Sequence, residues 1–469
     1  MRTIDRARLR ELLAEERRRF AAAHPRSREL FERARRFLLD GVPMNWMVCW
    51  ATPFPLFVHE AAGARLRDVD GHEYVDFCLG DTGAMTGHAP LPTVQAVREQ
   101  VGRGITFMLP TEDALWVGEE LSRRFGLPYW QFTLSATDAN RFSIRLARQI
   151  TGRPRILVFN RCYHGTVDES FIVLEDGVAR SRRGNIGPPV DPTLTTRVVE
   201  FNDPAALEEA LAARDVACVL AEPAMTNVGI VLPEPGFHQA LREITRQTGT
   251  LLILDETHTL CTGPGGYTGA YGLRPDIVTL GKAIAGGIPA GAYGLSEEVA
   301  VRIQAQAGAM DAGAGGIGGT LAGNALSLAA MRATLHQVLT ESFYARAIPL
   351  AERFARGVQG VIDAFGLPWH VTRLGCRVEY RFSPLPPRNG SQAAAAADRE
   401  LEQYLHLAAL NRGLLLTPFH NMALLSPHHT EADVDRHTAV LRECAEELTG
   451  EGRVRGTASF SLRDLLRRE

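Results

Sequence analysis

Between about residue 110 and residue 300, short apolar runs take turns with longer stretches of helical periodicity. Four runs, RILVFN (155–160), RVVEFN (197–202), ACVLAEP (217–223) and TLLILDE (250–256), are apolar or β-branched on nearly consecutive positions. A fifth, YWQFTLS (129–135), precedes a helix beginning near Asp138. Consecutive apolar positions suit strands covered on both faces, and their alternation with helices predicts a parallel sheet in an α/β fold. Elsewhere the pattern changes. Residues 1 to about 40 predict two helices parted near HPRS by Pro25, and GARLRDVDGHEYVDF (63–77) alternates about Asp70–Gly71 as a hairpin does. A helical stretch from about Leu321 to Val338 leads to a mixed C-terminal region, where FSPLPPRNGSQAAAAADRE (382–400) predicts an exposed loop and then an Ala-rich helix. There is no internal repeat. Ligands of an open parallel sheet gather beyond the carboxyl ends of its strands, which singles out Ser135, Asn160, Glu222 and Asp255.

Composition removes several function classes. The chain has 469 residues, 45% apolar and 22% charged, an ordinary globular balance with length for a large core and a satellite. A net charge of -3 gives no electrostatic case for nucleic acid or an anionic membrane. The seven cysteines (49, 78, 162, 218, 261, 376 and 444) are scattered and contain no CxxC pair. They argue against a disulfide framework or a zinc site and for a reducing, cytoplasmic setting, with no metal expected. The arginine-rich start, MRTIDRARLRELLAEERRRF, interleaves acids at helical spacing and predicts a solvated amphipathic helix, not a targeting segment.

Charge usage then exposes one position. Of the 51 Lys and Arg residues only Lys282, in DIVTLGKAIAGGIP, is a lysine. Arginine cannot lose its proton in a protein; a lysine amine can, and then attacks carbonyls. Asp255 ends the TLLILDE strand. Alone it also has a plainer reading as a helix cap or loop residue, but beside a solitary lysine it gains a chemistry. Pyridoxal phosphate needs an amine for its aldehyde and an acid for its ring nitrogen. LSATDAN (134–140) follows a strand and opens a helix, so Ser135, Ala136 and Thr137 suit a phosphate, although an ordinary N-cap looks the same. FNRCYHG (159–165) offers Tyr163 as an aromatic face with His164 behind it. Two motifs lack their context. GAGGIG (313–318) fits G-x-G-x-x-G, but the polar VRIQAQAGAMDA before it is no strand; GKA (281–283) lacks the Ser or Thr of a P-loop.

As an ordered set these segments resemble the class III aminotransferases, the branch of fold-type I pyridoxal-phosphate enzymes that includes ω-transaminases, glutamate-1-semialdehyde aminomutase and β-phenylalanine aminotransferase. The likeness runs through PFPLFVHEAAGARLRDVDGHEYVDF, GH (87–88), SATDAN, YHG, AEPAMTNVGIVLP, LDETHT, TLGKAIAGG and GGTLAGN. It implies a large domain (76–338) with a mostly parallel seven-stranded sheet. A smaller α/β domain would come from both chain ends, an N-terminal segment (1–75) and a C-terminal part (339–469). By resemblance, Lys282 forms the internal aldimine and moves the proton between substrate carbon and cofactor, while Asp255 holds the pyridine nitrogen. Tyr163 covers one ring face, Thr257 the other, and Glu222 orients the ring near its oxygen. Ala136 and Thr137 hold the phosphate, and Thr320 reaches it from the neighbouring subunit, which implies a homodimer.

The departures bear on substrate. The arginine that grips a substrate carboxylate before PFPL in amino-acid-using relatives is replaced by Trp46 in MNWMVCWATPFPL, and the mobile arginine near the C-terminus by Phe419 and His420 in TPFHNMALLS. Trp46, with Trp50 and Phe107 nearby, would make an apolar wall, unless Trp46 is core and another arginine grips the carboxylate. The reading is an aminotransferase moving an amino group from a primary amine or ω/β-amino compound to a keto acid, aldehyde or ketone, with apolar amines favoured. The rivals are a glutamate-1-semialdehyde-type aminomutase, suggested by NVG-x-V-x-P (227–233), a β-amino-acid aminotransferase, a cofactor-binding protein without turnover, and an oxidoreductase using GAGGIG.

Overall fold

The computed structural model describes residues 4–306 and 316–450. The consecutive-apolar runs assemble as seven strands in the spatial order 129–133, 291–295, 277–280, 251–255, 216–221, 155–159 and 196–199. Neighbours are parallel except for Gly291–Leu295, which is antiparallel to both of its partners. Val216–Ala221, Leu251–Asp255 and Ile277–Leu280 are buried at every residue, as strands with helices on both faces must be. The covering helix Phe237–Thr248 shows how: Phe237, Leu241, Ile244 and Thr245 face inward, and Gly249, left-handed, ends it.

The chain ends build a second body. Helix Arg6–Ala23 stops at His24, and Pro25 occupies the first position of helix Pro25–Ala34. The hairpin Arg65–Asp68/Glu73–Asp76 turns through Asp70–Gly71. Its Asp70 carboxylate accepts the N–H groups of Arg26 and Ser27 at 2.7 and 3.0 Å, so the hairpin tip caps the second helix. Leu414–Leu415 then lies parallel to Val75–Asp76, which splices the C-terminal region onto the N-terminal hairpin. Leu9, Phe20, Tyr74, Phe77, Phe354, Tyr404 and Leu441 share one core beneath them. A second, antiparallel sheet carries His370–Leu374, Arg377–Arg381 and Met422–Leu424.

Two helical expectations shift. The stretch expected from about Leu321 starts as α-helix only at Ala325, because the Asn324 side chain accepts Ser327 N–H and caps it there, and Thr334–Val338 relaxes into a π turn. The Ala-rich run gives a six-residue helix, Gly390–Ala395, and Asp398 restarts the chain as Arg399–Asn411 by accepting Leu401 N–H. Residues 313–315 of GAGGIG lie outside the described residues. Among the described residues no helix is long and apolar enough to cross a membrane.

Candidate active site

Two adjacent parallel strands end on the chemistry: one closes at Asp255, and its neighbour Ile277–Leu280 runs into Gly281 and Lys282. Gly281 passes so near helix Ala136–Thr151 that a Cβ there would stand 2.8 Å from Ala136 Cβ and 2.9 Å from its backbone nitrogen. Only glycine lets the lysine loop reach the helix start. Lys282 itself has φ +52°, a left-handed conformation that side-chain-bearing residues adopt at a cost. The facing loop is alike, with Leu79, Asp81 and Thr82 at φ +45°, +48° and +84°.

Ser135 caps the helix, its Oγ accepting Asp138 N–H at 3.2 Å. The first N–H groups of a helix have no intrahelical partner, so Ala136 and Thr137, which line the cleft, offer donors of the kind that suit an anion seat. Gly165 of YHG has φ +77°, and a Cβ there would fall 2.0 Å from Thr137 Oγ1, so the Tyr163 loop is pressed against that seat. The cleft has a volume of about 350 Å³ and is also lined by Trp46, Tyr163, Asp255, Thr257 and Lys282.

Asp255 is built to stay ionised. Its Oδ2 accepts from His164 Nδ1 at 2.9 Å and from Asn140 Nδ2 at 2.8 Å, and its Oδ1 from Thr257 N–H at 3.1 Å. Burial would raise the carboxyl, but the hydrogen bonds from His164, Thr257 and Asn140 outweigh it and hold the group at about 2. Asn140 is fixed in turn by Thr279, which donates to its Oδ1 at 2.7 Å. On the other side, Lys282 Nζ lies 2.9 Å from each of Asp81 O, Asp81 Oδ2 and His258 Nε2. Burial pushes the Asp81 carboxyl up, and its neighbours Lys282 and Arg377 more than reverse that, holding it below the ordinary carboxylate range.

The remaining expected residues fall into three groups. Ser135, Ala136, Thr137, Tyr163, Thr257 and Trp46 line the cleft. His164 is buried behind Asp255 rather than on the cleft wall. Glu222, likewise buried, accepts from Thr226 N–H and Oγ1 and from Asn227 Nδ2 through Oε2, while Oε1 has no partner; burial raises its carboxyl. Trp46 meets Tyr163 and Phe419 edge-on, at centroid distances of 5.6 and 5.8 Å. His420 is buried with Nδ1 3.5 Å from Glu379 Oε1, away from the cleft lining.

Trp50 and Phe107 depart from the aromatic wall expected of them. Trp50 packs against the core joining the chain ends, and Phe107, 43% exposed, folds over Gly104, where the lack of a side chain leaves room for its ring. Thr320 is exposed and does not line its own chain's cleft. Asn160 secures Glu200, Ser391 and Leu174 N–H, a structural task at a strand end. Asp81, His258, Asn140 and Arg377 escaped the sequence reading. Asn140 and His258 lie inside motifs already singled out, SATDAN and LDETHT; Asp81 and Arg377 reach the site through tertiary packing alone.

An amine at one end, a buried ionised acid at the other, an aromatic face and a helix start suit a planar cofactor with a ring nitrogen, an aldehyde and a phosphate. The buried Thr257 Oγ1 and Glu222 Oε1, both without partners, leave hydrogen-bonding capacity for such a ring. No arginine lines the cleft among the described residues.

Comparison with known proteins agrees. The sequence profile of the class-III aminotransferases matches residues 47–439. A glutamate-1-semialdehyde 2,1-aminomutase of Sorangium cellulosum is 36% identical over 427 residues, 89% of this chain and 96% of its own length. The crystal structure of a glutamate-1-semialdehyde-aminomutase from Pseudomonas aeruginosa PAO1 superposes with TM-score 0.93 at 53% identity, covering 95% of this chain and 99% of that one. A lysine-to-alanine form of the same protein, in complex with PMP, superposes equally well. An ω-transaminase from Sphaerobacter thermophilus gives TM-score 0.82 at 30% identity, covering 91% and 99% of the two chains. The chain belongs to the class III aminotransferases, enzymes that use pyridoxal phosphate to exchange amino groups between small amines and carbonyl compounds.

Proposed function

We propose that pyridoxal phosphate lies in this cleft joined to Lys282, with Asp255 at its ring nitrogen, Tyr163 and Thr257 on its faces, and its phosphate at Ser135, Ala136 and Thr137. When bound, the cofactor supplies an aldehyde for amine capture and an electron sink for the bond broken next. Asp255, ionised at every working pH, keeps a proton on the ring nitrogen. Lys282 takes the proton from the substrate carbon at Nζ and returns it. Glu222 holds the ring's substituents through its spare Oε1. Thr320, exposed beside the segment that follows Gly316, completes the phosphate seat of a second copy, which makes the enzyme a homodimer.

The overall reaction we favour is an aminomutase one. A single substrate keeps the cofactor's amino group in play, and both halves of the exchange occur on one carbon skeleton. The observation behind this reading is the 53% identity, over 95% of the chain, with a glutamate-1-semialdehyde-aminomutase. Arg182 does not line the cleft, but it is the cation we assign to the substrate carboxylate, because its Nη1 donates to Cys162 O at 3.0 Å, next in sequence to Tyr163, which does line it. Incubation of the holoenzyme with glutamate-1-semialdehyde and no amino acceptor should yield the isomer whose amino group has moved from C2 to C1. A requirement for an added keto acid rejects the aminomutase reading. The apolar-amine reading keeps one specific support, the Trp46–Tyr163–Phe419 wall in a cleft without arginine. Faster turnover of an aryl-alkyl amine with a keto acid would favour it.

A further inference from the structure

His258 has two ring nitrogens with unlike neighbours. Nδ1 lies 3.0 Å from Arg377 Nη2 and 2.9 Å from Thr82 Oγ1. A guanidinium has protons to give and no lone pair, so Nδ1 has to accept. Thr82 Oγ1 also receives an N–H from Arg377 Nη2, which frees its own hydroxyl proton for Nδ1. The single proton of a neutral imidazole is thereby placed on Nε2. A second ring proton is disfavoured by burial, with the charge of Arg377 acting in the same direction, and the ring is held well below its ordinary value.

Nε2–H points at Lys282 Nζ, 2.9 Å away. The other two neighbours of Nζ, Asp81 O and Asp81 Oδ2, only accept. An amine with two N–H bonds and one lone pair satisfies this set: both N–H groups go to Asp81, and the lone pair meets Nε2–H. An ammonium would turn a third N–H against Nε2–H.

We propose that His258, fixed as the Nε2–H tautomer by Arg377 and Thr82, is a catalytic residue that selects the lone-pair-bearing form of Lys282, the form that captures the cofactor aldehyde. In that capture the amine nitrogen bonds to the aldehyde carbon, and its two protons leave with the carbonyl oxygen as water. The assignment rests on the cofactor reading above and goes beyond it by naming what keeps the lysine reactive beside a carboxylate.

The test uses the apoprotein. Pyridoxal phosphate is mixed with wild type, His258→Leu and His258→Gln at neutral pH, covalent capture is followed by absorbance, and the product is fixed with borohydride and mapped by mass. Binding of pyridoxamine phosphate, which has no carbonyl to react, reports the integrity of the pocket. His258→Leu should capture at least about tenfold more slowly, the worth of one hydrogen bond to a polar nitrogen, with pyridoxamine phosphate affinity within about threefold of wild type. His258→Gln, which still presents an N–H, should stay within about threefold in both. Wild-type capture by His258→Leu, equal slowing in His258→Gln, or parallel loss of pyridoxamine phosphate binding overturns the proposal. A wild-type protein with no tag on Lys282 overturns the cofactor reading instead.

Discussion

Replacing Asp255 by Asn changes one atom and removes one charge. The carboxylate accepts three buried hydrogen bonds: His164 and Asn140 at Oδ2, Thr257 N–H at Oδ1. Asparagine has one acceptor. In its better orientation the oxygen keeps His164 and Asn140, and the amide turns its own donors against Thr257 N–H. One unsatisfied buried donor costs about 1–3 kcal/mol, and the two bonds that remain lose their charge assistance. The expected loss of stability is about 3 kcal/mol. An independent route gives a similar figure. The folded carboxyl sits at about 2 against 3.8 for a free one, and a shift of that size is linked to about 2 kcal/mol. Because the folded value is depressed, this contribution is complete above 3.8 and fades only as pH falls through 2, so the deficit should be constant across neutral pH. Urea unfolding of apo Asp255→Asn at pH 6 and 8 measures it. Pyridoxamine phosphate titration measures the second consequence, an affinity lower by roughly 10- to 100-fold without the charge facing the ring nitrogen. A variant that binds pyridoxamine phosphate as wild type does would refute the placement of the ring nitrogen at Asp255.

Three further outcomes test other parts of the account. His437 is fully buried with Nδ1 unpartnered, and burial lowers it to about 3. Its contribution is therefore complete above 6.5 and is lost as pH falls toward 3, so His437→Leu should gain about 2 kcal/mol relative to wild type on moving from pH 8 to pH 5 in urea unfolding. Gly165→Ala should lower both thermal stability and phosphate-cofactor affinity, since the new methyl would stand 2.0 Å from Thr137 Oγ1 at φ +77°; a variant with unchanged affinity would separate that loop from the phosphate seat. Arg182→Gln should raise KM for a carboxylated substrate about tenfold, with little change for an aryl-alkyl amine; equal effects on both would remove Arg182 from carboxylate recognition.

The architecture was legible because it is written in period and length. Strands such as VACVLA and LLILD, buried at every residue, need no partner information to be read as interior. Asp255 was legible for the same reason, standing where such a strand ends, and Lys282 because it is the single lysine among 51 Lys and Arg residues. Contacts made across the fold were not. Asp81 comes to the lysine from a loop 201 residues away, and Arg377 reaches His258 from another sheet, so neither leaves a local trace. Aromatic residues misled in a different way. Trp46 and Trp50 lie four positions apart, yet one lines the cleft and the other packs on the core of the chain ends. Periodicity cannot separate them in a segment containing only a single short 3₁₀ turn, Asn45–Val48.

The most direct measurement exploits the solitary lysine. Holoenzyme is reduced with borohydride, digested, and its peptides weighed. The account predicts one phosphopyridoxyl tag per chain, on the peptide containing Lys282, and none on a Lys282→Ala variant treated identically. A yellow protein whose reduction leaves that peptide unmodified, or places the tag on the terminal amine, contradicts it.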